Sequence, residues 1–585
     1  MTMFRYSLRL THRAQISRKS LDWNSRASQV QPKSFKSTIS FSSTHDYIIV
    51  GGGSAGCVLA NRLSDNPDLK VLLLEAGPKD NSWRIQMPAA VSYNLDSDSH
   101  NWYYTSEPQQ NLQNRTMYHP RGRVLGGSSS INAMIYARGH AFDFDRWDRE
   151  GATGWSYADC LPYFKKSETY ELGASQYRGG SGPLRVSRGT SSNTLHEVFL
   201  AAGTEAGYPF TDDFNGYQQE GVGRLDRTVH DGKRWSTATA YLKPALERSN
   251  LVTETRALAN RVLFDKDKAI GVEYRAGNST KRVRASREVI ICGGVFNSPQ
   301  LLMLSGIGDE VDLKALGIPV VANLPGVGKN LQDHVQVYVQ FECLQPVTLN
   351  SAFKLHNKVL AGAQWFLFKN GTCATNHFES GGFVKSDPGV SHPDIALQFV
   401  PVVMREAGES DLIQHGYQLC VETLKPSSRG FVKLRSRDPL THPVIQPNYL
   451  THDSDRRLMR TCVRIARHVL SQKAFEPYRG KELRPGSTCK TEDDIDSFVR
   501  EYAKTDYHPC GTCKMGADDD PTAVVDKNTR VIGVDNLRVV DASVMPSVVS
   551  GNLNAATIMI AEKAADCILG KSPLPKEHVP VYGVS

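Results

Sequence analysis

Several features that a 585-residue chain could carry are missing from this one. No stretch reaches the ~18 consecutive apolar residues that a membrane-spanning helix needs, so any membrane association is expected to be peripheral. Net charge is scarce in the body of the chain. The sequence carries +8, but residues 1–44 hold five Arg and three Lys against one acid, Asp22, a net +7 that leaves only +1 for the remainder. A near-neutral body argues against a nucleic-acid-binding domain. A disulfide framework is also absent, because the eleven Cys are scattered and odd in number. Cys510 and Cys513 form a C-x-x-C, but no second pair completes a zinc site. No metal is expected, and the thiols read as buried and reduced. There is no internal repeat. What remains, 40% hydrophobic and 22% charged, is ordinary for a globular protein long enough for two or more domains.

The tail over residues 1–44 is Arg- and Ser-rich and acid-poor, with Phe4, Leu8 and Ile16 among the basic residues. It lacks the continuous apolar centre of a secretory signal. This composition predicts a mitochondrial transit peptide, a disordered basic tail being the plainer alternative.

The chain is organised around His45 to Gly77. Tyr47–Val50 is a short apolar run that suits a strand buried on both faces. Gly51, Gly53 and Gly56 follow at G-x-G-x-x-G spacing, and Val58, Leu59 and Leu63 then share one side of a helical pattern. A second apolar run, Val71–Leu74, ends at Glu75. In such a strand–turn–helix–strand unit the first glycine allows the turn, the second lets the backbone approach a pyrophosphate, and the third lets helix and strand pack closely. Free N–H groups at the helix start then face the phosphates, and Glu75 can accept from a ribose hydroxyl. The motif predicts a dinucleotide site without separating FAD from NAD.

Further along, Pro120–Gly139 (PRGRVLGGSSSINAMIYARG) is a second glycine- and serine-rich stretch suited to close passage along a cofactor. Residues 251–275 read as strands joined by an Asp-Lys-Asp-Lys turn, Arg287–Gly294 as a buried strand entering a glycine turn, and Ser298–Ser305 as helix. Residues of about 335–500 alternate strand and helix patterns, and a last motif-rich stretch runs from His508 to Asp566.

These stretches together resemble the glucose–methanol–choline (GMC) oxidoreductases over roughly residues 45–570. PRGRVLGGSSSINAMIYARGHAFDFDRW is similar to the family's first signature. GGVFNSPQLLMLSGIG is similar to its second, with Val295 where a small residue is usual. LRVVDASVMPSVVSGNLNAATIMIAEKAAD is similar to its C-terminal segment. The resemblance implies FAD and an α/β fold: a doubly wound, Rossmann-like FAD-binding domain with a second, substrate-binding domain on an antiparallel sheet. It divides the chain into a discontinuous FAD-binding domain (45–145, 236–333, 501–570), a discontinuous substrate domain (146–235, 334–500) and a C-terminal tail (571–585). The FAD contacts it implies fall on Gly51, Gly53, Ser54, Ala55, Gly56, Glu75, Ala76, Val124, Gly127, Asn132, Met134, the backbone of Val262, Asp541 and Ala542. Some relatives bond a His covalently to the flavin where this chain has Ile131, which cannot form that bond, so the FAD is expected to be non-covalent.

Within the family the wording is that of choline-oxidising members. It implies oxidation of choline to betaine aldehyde, with electrons passing to a quinone or respiratory-chain acceptor, in a mitochondrial, peripherally membrane-associated enzyme. Oxidising an alcohol with a flavin moves a hydride from the carbinol carbon and a proton from the hydroxyl. A neutral imidazole suits the proton. The resemblance puts that base on His508 and a polar partner on Asn552, an amide able to stabilise developing alkoxide charge. His334 and His377 fall where choline-oxidising relatives have active-site histidines, although a core histidine explains His377 equally well. Those relatives often carry, two residues after the His of the LQDH segment, a Glu that pairs with trimethylammonium. Here the position is Gln336. Restoring the acid, Gln336→Glu, is therefore expected to improve choline binding. Glu379 is a candidate to supply the missing charge, and Trp83 and Trp365 are candidate cation–π faces, core packing being the plainer role for each tryptophan. Gln336 also leaves open an uncharged primary alcohol as substrate.

Overall fold

The computed structural model describes residues 40–191, 193–403 and 415–583. The leader expected over residues 1–44 therefore lies, up to residue 39, outside the described residues.

Two seven-stranded sheets organise the chain. The first is made of β1 (Ser43–Val50), β2 (Val71–Glu75), β4 (Leu251–Thr255), β5 (Ala257–Asp265), β6 (Lys268–Ala276), β7 (Ser279–Ile291) and β14 (Leu537–Val539), in the order β4–β2–β1–β7–β6–β5 with β14 beside the end of β7. Strands β4, β2, β1, β7 and β14 are mutually parallel, and β5 and β6 form the antiparallel extension. Every residue of β2 and the Tyr47–Val50 half of β1 is buried, as parallel strands covered on both faces require. β1 starts four residues before the apolar run, because its exposed Ser43–His45 pairs along the long β7. Helix α1 (Ser54–Ser64) returns from β1 to β2 and buries Val58, Leu59 and Leu63 completely. It packs against α6 (Leu553–Ile568), which brings the C-terminal motif beside the first glycine loop. The Asp-Lys-Asp-Lys turn joins β5 to β6, and α3 (Gly294–Leu304) covers the predicted Ser298–Ser305 helix, starting at the glycine turn.

The second sheet is antiparallel: β3 (Gly221–Arg224), β8 (Val335–Cys343), β9 (Ser380–Val384), β10 (Ile395–Val400), β11 (Gly416–Thr423), β12 (Arg479–Arg484) and β13 (Lys504–Thr505). Side chains alternate between its faces. Val335, Val337, Val339, Leu397, Phe399, Leu419 and Val421 pack on one side into a core with Met459, Cys462, Val463 and Ala466 of α5 (Asp453–Leu470). On the other side Gln336, Tyr338, Gln398, Val400 and Cys420 face a cavity. A shorter helix, α4 (Leu355–Phe368), lies between β8 and β9 in sequence. Both sheets belong to one compact unit, Phe41–Ser585. All eleven cysteines are free, and Cys510 and Cys513 are fully buried.

Candidate active site

A cavity of about 760 Å³ runs from the glycine loops to the polar face of the second sheet. At its first end Gly51 turns with φ +107°, and a Cβ there would lie 2.3 Å from the Cys292 carbonyl oxygen. A Cβ on Gly56 would lie 1.9 Å from the Gly51 carbonyl oxygen, so this glycine serves close packing. Gly53 has open space around its missing side chain, the nearest atom being Gly127 Cα at 3.9 Å. It is the N-cap of α1 and no side chain caps it, so the first-turn N–H groups are left for a ligand. Glu75 accepts from the Gly52 N–H at 2.8 Å and the Gly77 N–H at 2.7 Å. Burial nevertheless pushes its carboxyl up to about 7. Asp541 accepts from Gly294 N (2.9 Å), Ser298 Oγ (2.6 Å) and Ser543 N (2.8 Å), which ties the C-terminal segment to the start of α3.

Gly51, Gly53, Ser54, Ala55, Glu75, Ala76, Gly127, Asn132, Met134, Asp541 and Ala542 all line this cavity. Three expected FAD contacts do not. Val124 is buried beneath the loop, its carbonyl accepting from Gly127 N. Gly56 packs on Gly51. Val262 is also buried, and its N–H donates to Ser305 Oγ at 2.8 Å. The same strand instead brings Ala257, Leu258 and Ala259 to the cavity. A register shift between Ala259 and Arg261 separates the two groups. Ile131 lines the cavity.

At the other end stand His508 and Asn552. They come from loops 44 residues apart, yet Asn552 Nδ2 lies 3.0 Å from His508 Nε2. Asn552 begins α6 without capping it, so its amide is free to face the cavity. Tyr507, at φ +65°, turns the backbone just before His508. Asp333 holds that backbone: Oδ1 accepts the His508 N–H at 2.9 Å, while Oδ2 accepts from Thr505 Oγ1 at 2.6 Å and from the Tyr449 hydroxyl. Burial raises the Asp333 carboxyl to about 6. Burial, with His334 and Arg121 nearby, keeps the His508 imidazole well below its ordinary range and therefore neutral at pH 7. With Asn552 donating to Nε2, the ring proton sits on Nδ1, which faces Asp506 Oδ2 at 3.2 Å and His334 Nδ1 at 3.1 Å.

His334 is fully buried beside His508 and does not line the cavity, contrary to its expected place against substrate. Burial lowers it to about 4. His377 and Gln336 do line the cavity. His377 is likewise lowered to about 4 by burial, and Gln336 donates to the Thr505 carbonyl at 3.3 Å. Glu379 supplies no charge to the cavity, since it is buried against Arg227 Nη1 at 2.9 Å and Thr375. Trp365 packs in a small core with Met87 and Ala90, whereas Trp83 is partly exposed at the cavity wall. The acids around His508, namely Asp333, Glu422 and Asp506, escape sequence reasoning. The one hint was Asp333 within the LQDH segment.

A nucleotide-sized cavity with two glycine loops at one end and an imidazole–amide pair at the other fits FAD and a small alcohol, and the comparisons agree. Family models described as GMC oxidoreductase match residues 45–336 and 426–561. The chain belongs to the GMC oxidoreductase family; it is an FAD-dependent oxidoreductase acting on CH–OH donors. It is 56% identical over 545 residues to a mitochondrial choline dehydrogenase of Mus musculus, covering 92% of this chain and 91% of that one. It is 50% identical over 533 residues to an oxygen-dependent choline dehydrogenase of Brucella suis, covering 91% and 97%. Among solved structures, pyridoxine 4-oxidase from Mesorbium loti matches with a TM-score of 0.82 at 32% identity, over 90% of this chain and all of that one. A formate oxidase variant of Aspergillus oryzae, studied for FAD modification, matches at 0.86 and 25%, over 91% and 99%.

Proposed function

We propose that the enzyme oxidises choline to betaine aldehyde, with His508 taking the hydroxyl proton and Asn552 holding the substrate oxygen. FAD, when bound, supplies the hydride acceptor. The observation that carries the reading is the 3.0 Å meeting of His508 Nε2 and Asn552 Nδ2 at the cavity wall. A substrate hydroxyl placed there would give its proton to a neutral Nε2 while the amide N–H stabilises the charge left on oxygen. Nδ1, facing Asp506 and His334, keeps the tautomer in which Nε2 is the accepting nitrogen, so the substrate hydroxyl would take the place Asn552 Nδ2 holds on it. The glycine loops, the start of α1, Glu75 and Asp541 would hold the dinucleotide, and the flavin is bound without a covalent link, Ile131 offering no nucleophile. We assign the first sheet to an FAD-binding part and the second to a substrate-binding part of the molecule.

The mitochondrial choline dehydrogenase relatives, together with the Arg- and Ser-rich leader, support mitochondrial placement, and a quinone of the respiratory chain is the acceptor proposed with it. Peripheral membrane contact is supported by α4. It exposes Val359, Leu360, Phe366, Leu367 and Phe368, and Leu367 is 73% exposed. Residues 343–378 contain no acid but carry Lys354, Lys358 and Lys369. An apolar, basic helix of this kind suits an anionic bilayer surface. Its Lys358, Ala361, Gly362 and Phe366 also line the cavity, so the cavity opens beside it.

A second reading, an uncharged primary alcohol as substrate, is favoured by Gln336. An ion pair ~4 Å apart at an effective dielectric of 20 is worth roughly 4 kcal/mol before desolvation, and an amide forfeits it. Anaerobic mixing of the purified holoenzyme with choline, followed at the flavin absorption band, decides between them. Bleaching is expected with choline. Bleaching with uncharged alcohols alone would overturn the choline reading.

A further inference from the structure

We propose that Asp506, backed by Glu422, is the carboxylate that recognises the substrate's quaternary ammonium group. The proposal rests on the choline reading and names the residue that replaces the missing acid at 336. Among the described residues lining the cavity, three are acidic: Glu75, Asp541 and Asp506. The first two accept backbone N–H groups at the nucleotide end. Of these three, Asp506 is the one that sits beside His508, and it remains partly exposed to the cavity.

The sheet register explains how the charge arrives there. Gln336 on β8 lies directly opposite Glu422 on β11, so their side chains share one face. β13 pairs with β8 at the same place, Gln336 opposite Lys504, and the chain then turns Asp506 onto this face. Gln398 of β10 donates to both acids, at 3.2 Å to Glu422 Oε1 and 3.4 Å to Asp506 Oδ2. The amide at 336 thus faces a pair of carboxyls on the neighbouring elements. Two buried carboxyls this close cannot both ionise. Burial raises both carboxyls, and Glu422, the more deeply buried, is raised the further. The proposal places the pair's remaining charge on Asp506, the member that lines the cavity. Arg121, a cation at the same end, has Asp333 as its counter-charge.

The test compares choline with 3,3-dimethylbutan-1-ol, in which carbon replaces the charged nitrogen. Flavin reduction is followed by anaerobic stopped flow on FAD-loaded protein, with flavin content checked by absorbance for every variant. The quantity read is the ratio of Kd for the neutral alcohol to Kd for choline. Asp506→Asn should cut this ratio at least ~10-fold, because it removes the charge and keeps the shape. Asp506→Glu, which keeps the charge, should hold the ratio within ~3-fold of wild type. Glu422→Gln, which leaves the Asp506 charge in place, should change it less than Asp506→Asn does. An unchanged ratio in Asp506→Asn overturns the proposal. So does an equal slowing with both alcohols, which would make Asp506 a support of His508 and nothing more. Wild type reduced by the neutral alcohol but not by choline overturns the choline reading itself, a failure visible before any variant is made.

Discussion

Gly127→Ala tests the cofactor cradle where its two glycine loops meet. Gly127 sits at φ +52°, and an added Cβ would lie 2.6 Å from Gly53 Cα in the opposing glycine loop. Left-handed backbone costs an alanine roughly 1–2 kcal/mol. The contact falls about 1 Å short of ordinary carbon–carbon separation and meets backbone, which has no rotamer to yield; overpacking of this kind costs about 1–3 kcal/mol. The apoprotein can relax by drawing the Gly127 loop back, but loops closed around a dinucleotide cannot. FAD affinity should therefore fall by roughly 2–5 kcal/mol, or ~30-fold to a few thousand-fold. Titration of apoprotein with FAD, followed by flavin fluorescence, measures the loss, and thermal unfolding of the apoprotein separates it from general destabilisation. If the variant binds FAD within ~3-fold of wild type, these two loops do not close on the cofactor.

Other expectations follow from the same geometry. Asn552→Ala should keep FAD and helix stability, since Asn552 does not cap α6, but slow flavin reduction ~10²-fold, as loss of an oxyanion donor does; an unaltered rate would remove the amide from the reaction. Gln336→Glu puts a third carboxyl against Glu422 and Asp506, where one more charge cannot be accommodated, so choline binding should not improve. A tighter Kd would show that the new acid meets the ammonium directly. Leu367→Ser with Phe368→Ser should weaken co-sedimentation with anionic liposomes while leaving choline reduction in detergent-free buffer intact, and unchanged sedimentation would place the membrane contact elsewhere.

How much of this was legible in the sequence follows from the physics of each part. The Gly51–Gly56 turn and Glu75 were readable because tight turning and backbone approach leave no residue but glycine, and because the flanking strands are buried on both faces. The pairing of His508 with Asn552 came from resemblance and not from periodicity, since nothing local joins two loops 44 residues apart. That Ala257, Leu258 and Ala259 reach the cavity while Val262 does not could not be read, because the register shift in β5 leaves no local mark. Asp506 and Glu422 were invisible for a related reason. Each is an unremarkable acid until the antiparallel register of β8 and β11 sets Glu422 across from Gln336. The proposal for Asp506 replaces the expected benefit of Gln336→Glu with the opposite expectation for that same cause. His334 was assigned to substrate on family position, yet it is buried beside His508.

The most direct measurement is the anaerobic rate of flavin reduction by choline in His508→Ala, set beside wild type at equal FAD content. The variant should stay yellow and lose reduction by ~10²–10⁴-fold, the range expected when a positioned base is removed. Reduction at the wild-type rate would contradict the assignment of proton transfer to the imidazole that meets Asn552 at the cavity wall.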